Sequence, residues 1–183
     1  MSNTSNVSAG KPKIGGAIYR APLGTALPTD VNTALNEAFV CLGYVSDAGL
    51  VNANTATSTA IKAWGGDTVL DVQTDKPDTY QFTLLEVLDP NVLATVYGDD
   101  NVSGSLAAGI TVNANSKELE DCCWVVDMIM RNDAKKRIVI PSGKVTSVGN
   151  VTYSDSAAVG YDTTVSCHPD ANGNTHYEYI KAA

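Results

Sequence analysis

Residues 78–98, DTYQFTLLEVLDPNVLATVYG, contain the clearest local patterns of the chain. In the first half, Tyr80, Phe82 and Leu84 alternate with polar residues. Side chains two positions apart lie on the same face of a strand. This alternation therefore predicts an antiparallel strand with one buried face and one face toward solvent.

A short helix is predicted immediately after this strand. Asp89 is a suitable N-cap, Pro90 fits the first helical position, and Gly98 is placed to end the helix. The apolar stripe of this helix consists of Val92, Leu93 and Val96. A helix of about two turns has little stability of its own, so we expect it to pack on a sheet.

Runs with strand character dominate the rest of the chain. Residues 67–74 form one run, and the C-terminal third has three more runs and an Asn172-Gly173 hairpin signal. Residues 116–133 fit a helical stripe or a strand, but the adjoining 132–143 segment resembles a turn and a return strand, which favours a hairpin. We therefore predict a mainly β fold, an antiparallel β-sandwich or barrel with one short flanking α-helix.

The N-terminal region combines apolar residues with residues that disfavour a central strand. Residues 17–30, AIYRAPLGTALPTD, include Pro22 and Pro28. Because proline has no N–H to donate to a strand ladder, we predict that residues 14–30 form an extended arm. The preceding residues 1–13, rich in Ser, Asn and Gly, are predicted to be a disordered leader.

Two further segments lie between the arm and the first long β-run. Asp30 is a possible cap for a short helix that ends near Gly43. Residues 44–63 are rich in small polar side chains and are predicted to be a long loop or a mobile β-ribbon. Within the domain, residues 46–66 are taken as this long loop. With 183 residues, the chain is predicted to hold a single domain, residues 14–183.

Composition and charge exclude several classes of protein. Hydrophobic residues make up 44% of the chain, enough for a core, and the formal net charge of −8 argues against binding nucleic acid through phosphate neutralisation. We find no apolar run of membrane-spanning length and no signal peptide. We therefore expect reduced thiols in a cytosolic product for the four cysteines, Cys41, Cys122, Cys123 and Cys167.

Motifs for catalysis, metal binding or cofactor binding are not found in the sequence. His168 and His176 are the two histidines, and the cysteines lack C-x₂-C spacing, which disfavours a zinc site. Residues 170–181 begin like a calcium loop, but Thr175 and Lys181 stand where glycine and glutamate are needed. We predict no catalytic residue, no metal and no cofactor.

Several stretches, taken in order, resemble the major tail protein, or tail tube protein, of long-tailed (siphovirus-type) bacteriophages. They are APLGTALPTD, LGYVSDAGL, IKAWGGD, YQFTLLEVLDPNVLATVYG, WVVDM with KRIVIPSGKVT, and VTYSDSAAVGYDTTVSCHPDANGNTHYEYI. Together they cover about residues 14–181. The resemblance implies a non-enzymatic β-sandwich subunit of the virion, which is assembled in the host bacterial cytoplasm.

The resemblance also implies partners. Subunits form hexameric rings, and the rings stack around a tape-measure protein between a tail terminator and distal tail or baseplate proteins. Double-stranded DNA passes through the tube without specific binding, and no membrane is involved. An acidic channel wall repels phosphates, and Glu86, which interrupts the apolar run LLEVL, is a candidate for the lumen.

Subunit contacts are expected in the arm and in the 46–66 segment, where the family carries a loop that contacts an adjacent subunit or ring. The candidate interface residues are Tyr19, Pro22, Leu23, Leu27, Val51 and Trp64. For Trp64, which precedes Gly65-Gly66, a packing role at a loop-to-strand junction is the favoured alternative to a binding role.

The main alternative function is a secreted β-sandwich module for binding or adhesion. It is favoured by the Thr-rich segment and by N-x-[ST] triplets at Asn3, Asn6, Asn101 and Asn150. The lack of a recognisable signal peptide argues against it. An enzyme of unknown type is a third, weaker hypothesis.

Overall fold

Antiparallel strands form most of the molecule. In the computed structural model, which describes residues 1–183, strands account for 42% of the residues and helices for 9%. The strands are β1 (Lys11–Pro12), β2 (Ile18–Pro22), β3 (Val40–Cys41), β4 (Val51–Ala53), β5 (Thr57–Lys62), β6 (Thr68–Asp75), β7 (Thr79–Leu84), β8 (Val102–Ser105), β9 (Gly109–Val112), β10 (Cys122–Ile129), β11 (Lys135–Val148), β12 (Tyr161–His168) and β13 (Tyr177–Lys181). The α-helix is α1 (Pro90–Tyr97), and single 3₁₀ turns lie at Thr4–Asn6, Asp99–Asn101 and Arg131–Asp133. The predicted mainly β fold with one short α-helix is confirmed.

The strand and helix of residues 78–98 form as predicted. Tyr80, Phe82 and Leu84 on β7 are buried in the core. The Asp89 carboxylate accepts a hydrogen bond from the Asn91 N–H at 2.8 Å, which caps α1. The helix ends where the Gly98 N–H donates to the Ala94 carbonyl, and its apolar stripe packs on the sheet.

Nine strands form the main sheet, in the order β3-β2-β10-β11-β12-β7-β4, with β1 paired to β10 and β13 paired to β11. The predicted hairpin of β10 and β11 lies at its centre. Residues 122–127 are buried on both faces of the sheet. Trp124 and Val126 face the core that holds α1, whereas Cys123 and Val125 face a second, smaller core.

The second core is covered by the segment between β2 and β3. Leu27, Leu35 and Phe39 of this segment pack against Ala21 and its neighbours. The sheet is therefore covered on one face by the helix side and on the other by irregular chain, an arrangement consistent with a β-sandwich.

The predicted hairpin at Asn172-Gly173 does not form between β12 and β13. Both strands pair with the long strand β11: β12 with residues 142–148 and β13 with residues 135–139. Strands β12 and β13 thus lie end to end along the same edge of β11, and the turn at 170–174 separates them. The uninterrupted edge of β11 offers backbone partners to both strands, and this long-range pairing overrides the local turn signal.

The prediction of an extended arm at residues 14–30 is wrong for its first part. Strand β2 lies between β3 and β10, and Ala17, Ile18 and Ala21 are buried in the subunit's own cores. Pro22 is the last residue of the strand and pairs only with β10, because β3 ends its pairing at Arg20. This is an edge position, where proline is tolerated. The expected leader, residues 1–13, is exposed but contributes β1 to the edge of β10.

No helix forms between Asp30 and Gly43. The Asp30 carboxylate does accept hydrogen bonds from the N–H groups of Asn32 and Thr33, at 2.7 and 2.6 Å, as an N-cap would. However, the carbonyls of Asp30 and Thr33 accept from the Arg137 guanidinium at 3.0 and 2.6 Å. Because these carbonyls are held by a distant side chain, the turn does not continue into a helix.

Residues 46–66 are not one long loop. They contain β4, which pairs with β7, and β5, which pairs with β6 to form a separate two-stranded sheet. Of the two predictions, the β-ribbon therefore describes this region better than the loop does. The β-ribbon extends to Asp75, the end of β6.

A buried ion pair joins the N-terminal segment to the central hairpin. Asp127 on β10 accepts two hydrogen bonds from Arg137 on β11, at 2.6 and 2.9 Å, and one from Lys13 at 3.2 Å. Burial raises the pKa of Asp127, but the hydrogen bonds and charges of Arg137 and Lys13 outweigh it, and the net pKa is lowered. The pair is therefore charged in the folded protein.

We predict that Asp127→Asn lowers the free energy of unfolding by about 3 kcal/mol, because it leaves the buried Arg137 charge without its counter-ion. Urea unfolding followed by circular dichroism measures this. The control is Asp133→Asn at the exposed hairpin turn, which should change stability by less than about 0.5 kcal/mol. Equal stability of the two variants would contradict the role of the pair.

Candidate assembly surface

The β5–β6 hairpin with its tip, residues 57–75, is here called the ribbon. Every residue of its two strands is exposed to solvent. Ile61 is paired with Leu70, and Thr59 with Val72, so these side chains share one face. Ile61, Leu70 and Val72 are 48%, 54% and 41% exposed. The subunit thus presents an apolar ribbon face that it does not cover itself.

The tip of the ribbon carries a tryptophan without intramolecular packing. The Ala63 N–H donates to the Asp67 carbonyl at 2.7 Å, and the Gly66 N–H donates to the Ala63 carbonyl at 3.0 Å, which closes the turn. Trp64 is completely exposed. The favoured prediction of a packing role for Trp64 is therefore wrong, because no part of the subunit covers its ring.

Local sequence explains why the ribbon forms but not how it is stabilised. Threonine, valine and isoleucine favour extended backbone, and the two glycines allow the turn at the tip. A two-stranded hairpin without a packed face is marginally stable in water, and large apolar side chains on such a face usually mark an interaction site. The ribbon is therefore the strongest candidate for a contact with another chain.

The other candidate interface residues do not form one surface with Trp64. Tyr19 is half-buried, and its hydroxyl donates to the Gly16 carbonyl at 3.1 Å. Leu27 packs on the second core. These two residues therefore contribute to the subunit's own packing.

The remaining candidates are exposed but lie far apart in the sheet. Pro22 ends β2 and Leu23 follows it near one edge of the sheet, whereas Val51 lies on β4 at the opposite edge. Leu23 and Val51 are 57% and 53% exposed. They are thus available for contacts, but for contacts with different parts of a neighbouring molecule.

Glu86, the lumen candidate, supports a turn of its own subunit. Its carboxylate accepts a hydrogen bond from the Tyr44 N–H at 2.9 Å. Gly43 has φ +70°, and a Cβ at this position would collide with the Glu86 carboxyl group. Glycine is therefore required here, and the Glu86 side chain holds the 43–44 backbone in place.

A groove that sequence reasoning missed lies beside this turn. It has a volume of about 580 Å³, and it is lined by residues 10–18, by the 43–50 segment except Ala48, and by Glu86, Val126 and Met128. Its two walls are separated in the chain by residues 19–42, so no local pattern indicates that they meet. In the sequence, the only signal is the concentration of glycine with apolar residues in both wall segments.

The histidines and cysteines do not form a catalytic or metal-binding arrangement. His168 pairs with Asp121 at 2.8 Å, and His176 pairs with Asp78 at 2.6 Å. No group of three or more potential metal ligands comes together. Burial and the nearby Asp78 charge raise the pKa of Cys167 to about 12. This cysteine is therefore a protonated thiol and a poor nucleophile.

The Asp78 carboxylate has a structural role. Its buried carboxylate accepts hydrogen bonds from Thr175, His176 and Asn52. It thereby connects the start of β7 to β4 and to the turn that separates β12 from β13. Burial raises the pKa of Asp78, but these three hydrogen bonds outweigh it and lower the pKa.

Comparison with known proteins gives one clear result. A protein-family model described as "Phage tail tube protein" matches residues 3–183. No curated protein matches the chain at a significant level. The only α-helix has eight residues, and no helix is of a length and apolarity that would cross a membrane.

We predict a specific acid sensitivity for the Asp78 connection. Because its folded-state pKa lies below the ordinary value of 3.8, its contribution to stability is complete above about pH 4 and is lost as the pH falls through the folded-state pKa. Asp78→Asn should lower the free energy of unfolding by about 1–3 kcal/mol at neutral pH, since buried donors lose an ionised acceptor.

Urea unfolding at a series of pH values measures both effects. The stability of the Asp78→Asn variant should fall less steeply below about pH 4 than that of the wild type. Asp71→Asn, on the exposed ribbon, is the control and should leave the pH profile unchanged. An unaltered profile in the Asp78→Asn variant would rule out the proposed connection.

Proposed function

The chain belongs to the phage tail tube protein family, and we propose that it forms hexameric rings that stack into the tube of a long-tailed, siphovirus-type phage. It is a structural subunit of the virion that assembles with itself and with other tail components. We propose further that residues 14–183 act as a single tail-tube domain without enzymatic activity. The stacked rings would surround a tape-measure protein and end at a tail terminator and at distal tail or baseplate proteins.

The main support for this proposal is the exposed apolar face of the ribbon. Contacts between a projecting hairpin and a different surface of the next copy are heterologous, and such contacts produce rings when they close and filaments when they do not. A tube of stacked rings needs both kinds of contact. An exposed amphipathic hairpin on a small, separate sheet is well suited to provide one of them.

The charge of the subunit supports the role of a conduit for double-stranded DNA. With a formal net charge of −8, the wall repels phosphates and lets DNA pass without being trapped. Glu86 remains our candidate for the lumen, although one carboxylate oxygen is used by the Tyr44 N–H. We also propose that assembly takes place in the host bacterial cytoplasm and involves no membrane.

The alternative of a secreted adhesion module receives no support from the family match. Its main sequence support was the set of N-x-[ST] triplets. That pattern is expected by chance in a chain rich in Asn, Ser and Thr. The ribbon would be compatible with either function, so assembly is the property that separates them.

We predict that the purified protein forms rings or tubes visible by negative-stain electron microscopy, and that Leu70→Asp abolishes them. This variant places a charge on the apolar face of the ribbon, which lies outside both cores of the subunit, so the thermal unfolding midpoint should not change. Gln73→Asp lies on the opposite face and is the matched control, which should still assemble. Monodisperse monomers of the wild type under all assembly conditions would contradict the proposal.

We further predict that the wild-type protein does not bind double-stranded DNA at submicromolar concentration in physiological salt. Fluorescence anisotropy with a labelled duplex measures this. The comparison is the double variant Asp71→Lys, Asp75→Lys, whose exposed ribbon charges are reversed and which should bind more tightly, with a steeper salt dependence. Submicromolar binding by the wild type would exclude a passive, repelling wall.

A further inference from the structure

Two apolar features of the subunit have no partner within it, and they are of different shape. The tip of the ribbon is convex and carries Trp64. The groove beside the 43–44 turn is concave, and at about 580 Å³ it falls in the size range of pockets that bury most of a small ligand. Interface hot spots are enriched in tryptophan, tyrosine and arginine side chains that fill well-packed pockets.

The groove is apolar and open where a side chain would enter. Ile14 on one wall and Tyr44 on the other are 97% and 77% exposed. Its base includes Ile18 and Val126, which are buried in the main core, and Met128. Methionine adapts to the shape of an aromatic ring and makes favourable sulfur–aromatic contacts.

The walls of the groove are held in place by bonds that do not involve their apolar side chains. The Glu86 carboxylate fixes the Tyr44 backbone. On the opposite wall, the Lys13 N–H donates to the Asp127 carbonyl at 3.2 Å, and the Asp127 N–H donates to the Ala17 carbonyl at 2.8 Å. The groove is therefore formed before any partner binds, which lowers the entropic cost of binding.

Charges around the tip and around the groove are complementary. Lys62 and Asp67 flank the tip, one on each side of Trp64. The groove has Lys11 on the wall of residues 10–18 and Asp47 on the other wall. A tip with one cation and one anion can thus be oriented so that each faces an opposite charge.

We propose that the Trp64 tip of one subunit inserts into the groove of a second copy, between residues 10–18 and residues 43–50. This inference rests on the proposed function, because it names the two surfaces that meet when copies assemble. The occupant is a second copy because Trp64 is left uncovered by its own chain. The two surfaces differ, so the contact is heterologous and repeats from copy to copy.

A photo-crosslinking experiment on assembled protein tests the contact directly. Trp64 is replaced by p-benzoylphenylalanine, and isotope-labelled and unlabelled proteins are mixed before assembly and irradiation. Mass spectrometry should find crosslinks between differently labelled copies, to residues 10–18 or 43–50. Crosslinks only within one copy, or only to other segments of the neighbour, would overturn the inference.

A double-mutant cycle provides a second measurement without a probe. Trp64→Ala and Tyr44→Ala both change exposed side chains, so each variant should keep the thermal unfolding midpoint of the wild type. Each should raise the critical concentration for assembly by about 30-fold or more, and the double variant should show much less than the product of the two effects. Tyr153→Ala, an exposed tyrosine outside the groove, should have no effect.

The outcomes separate this inference from the proposed function. The proposed contact between the tip and the groove is wrong if the wild type forms tubes but the double variant raises the critical concentration by the full product of the two single effects, or if one single variant has no effect. The tail tube role then stands. If the wild type forms neither rings nor tubes, the proposed function itself fails.

Discussion

The buried ion pair of Asp127 and Arg137 connects parts of the subunit that are far apart in the sequence. Burying two charges is unfavourable unless the geometry is good and the remaining hydrogen-bonding groups are satisfied. Here the guanidinium makes two bonds to the carboxylate and two to the carbonyls of Asp30 and Thr33. The same carboxylate holds Lys13. The central hairpin thereby fixes both the turn that covers the second core and the wall of the groove.

This dependence explains which elements local sequence patterns predict. Strand β7 and helix α1 are determined by their own alternation, cap and terminating glycine, and the β10–β11 hairpin by a turn between two apolar runs. The segment after Asp30 has a helix cap too, but its carbonyls are taken by Arg137. Likewise, the Asn172-Gly173 turn forms, but the free edge of β11 pairs with the strands on both sides of it. Long-range hydrogen bonds thus decided the cases in which local patterns failed.

The residue types of the candidate interface residues predicted only that some of them would be exposed. Trp64 and Val51 were among the candidate interface residues and are exposed, whereas Tyr19 and Leu27 have the same apolar character and are partly buried within the subunit. A pattern of apolar residues does not distinguish packing on one's own chain from packing on another. The groove was not predicted at all, because its walls meet only through the sheet.

The separation of the ribbon from the cores has a consequence for assembly. Every residue of β5 and β6 is exposed, and the ribbon adds no residue to either core. The cores can therefore be complete before any contact between copies is made. A net charge of −8 makes free subunits repel one another at long range and keeps them in solution. Association therefore has to come from short-range apolar contact, which is absent until two surfaces of complementary shape meet. Such a balance favours a specific heterologous contact over unspecific aggregation of the exposed apolar face.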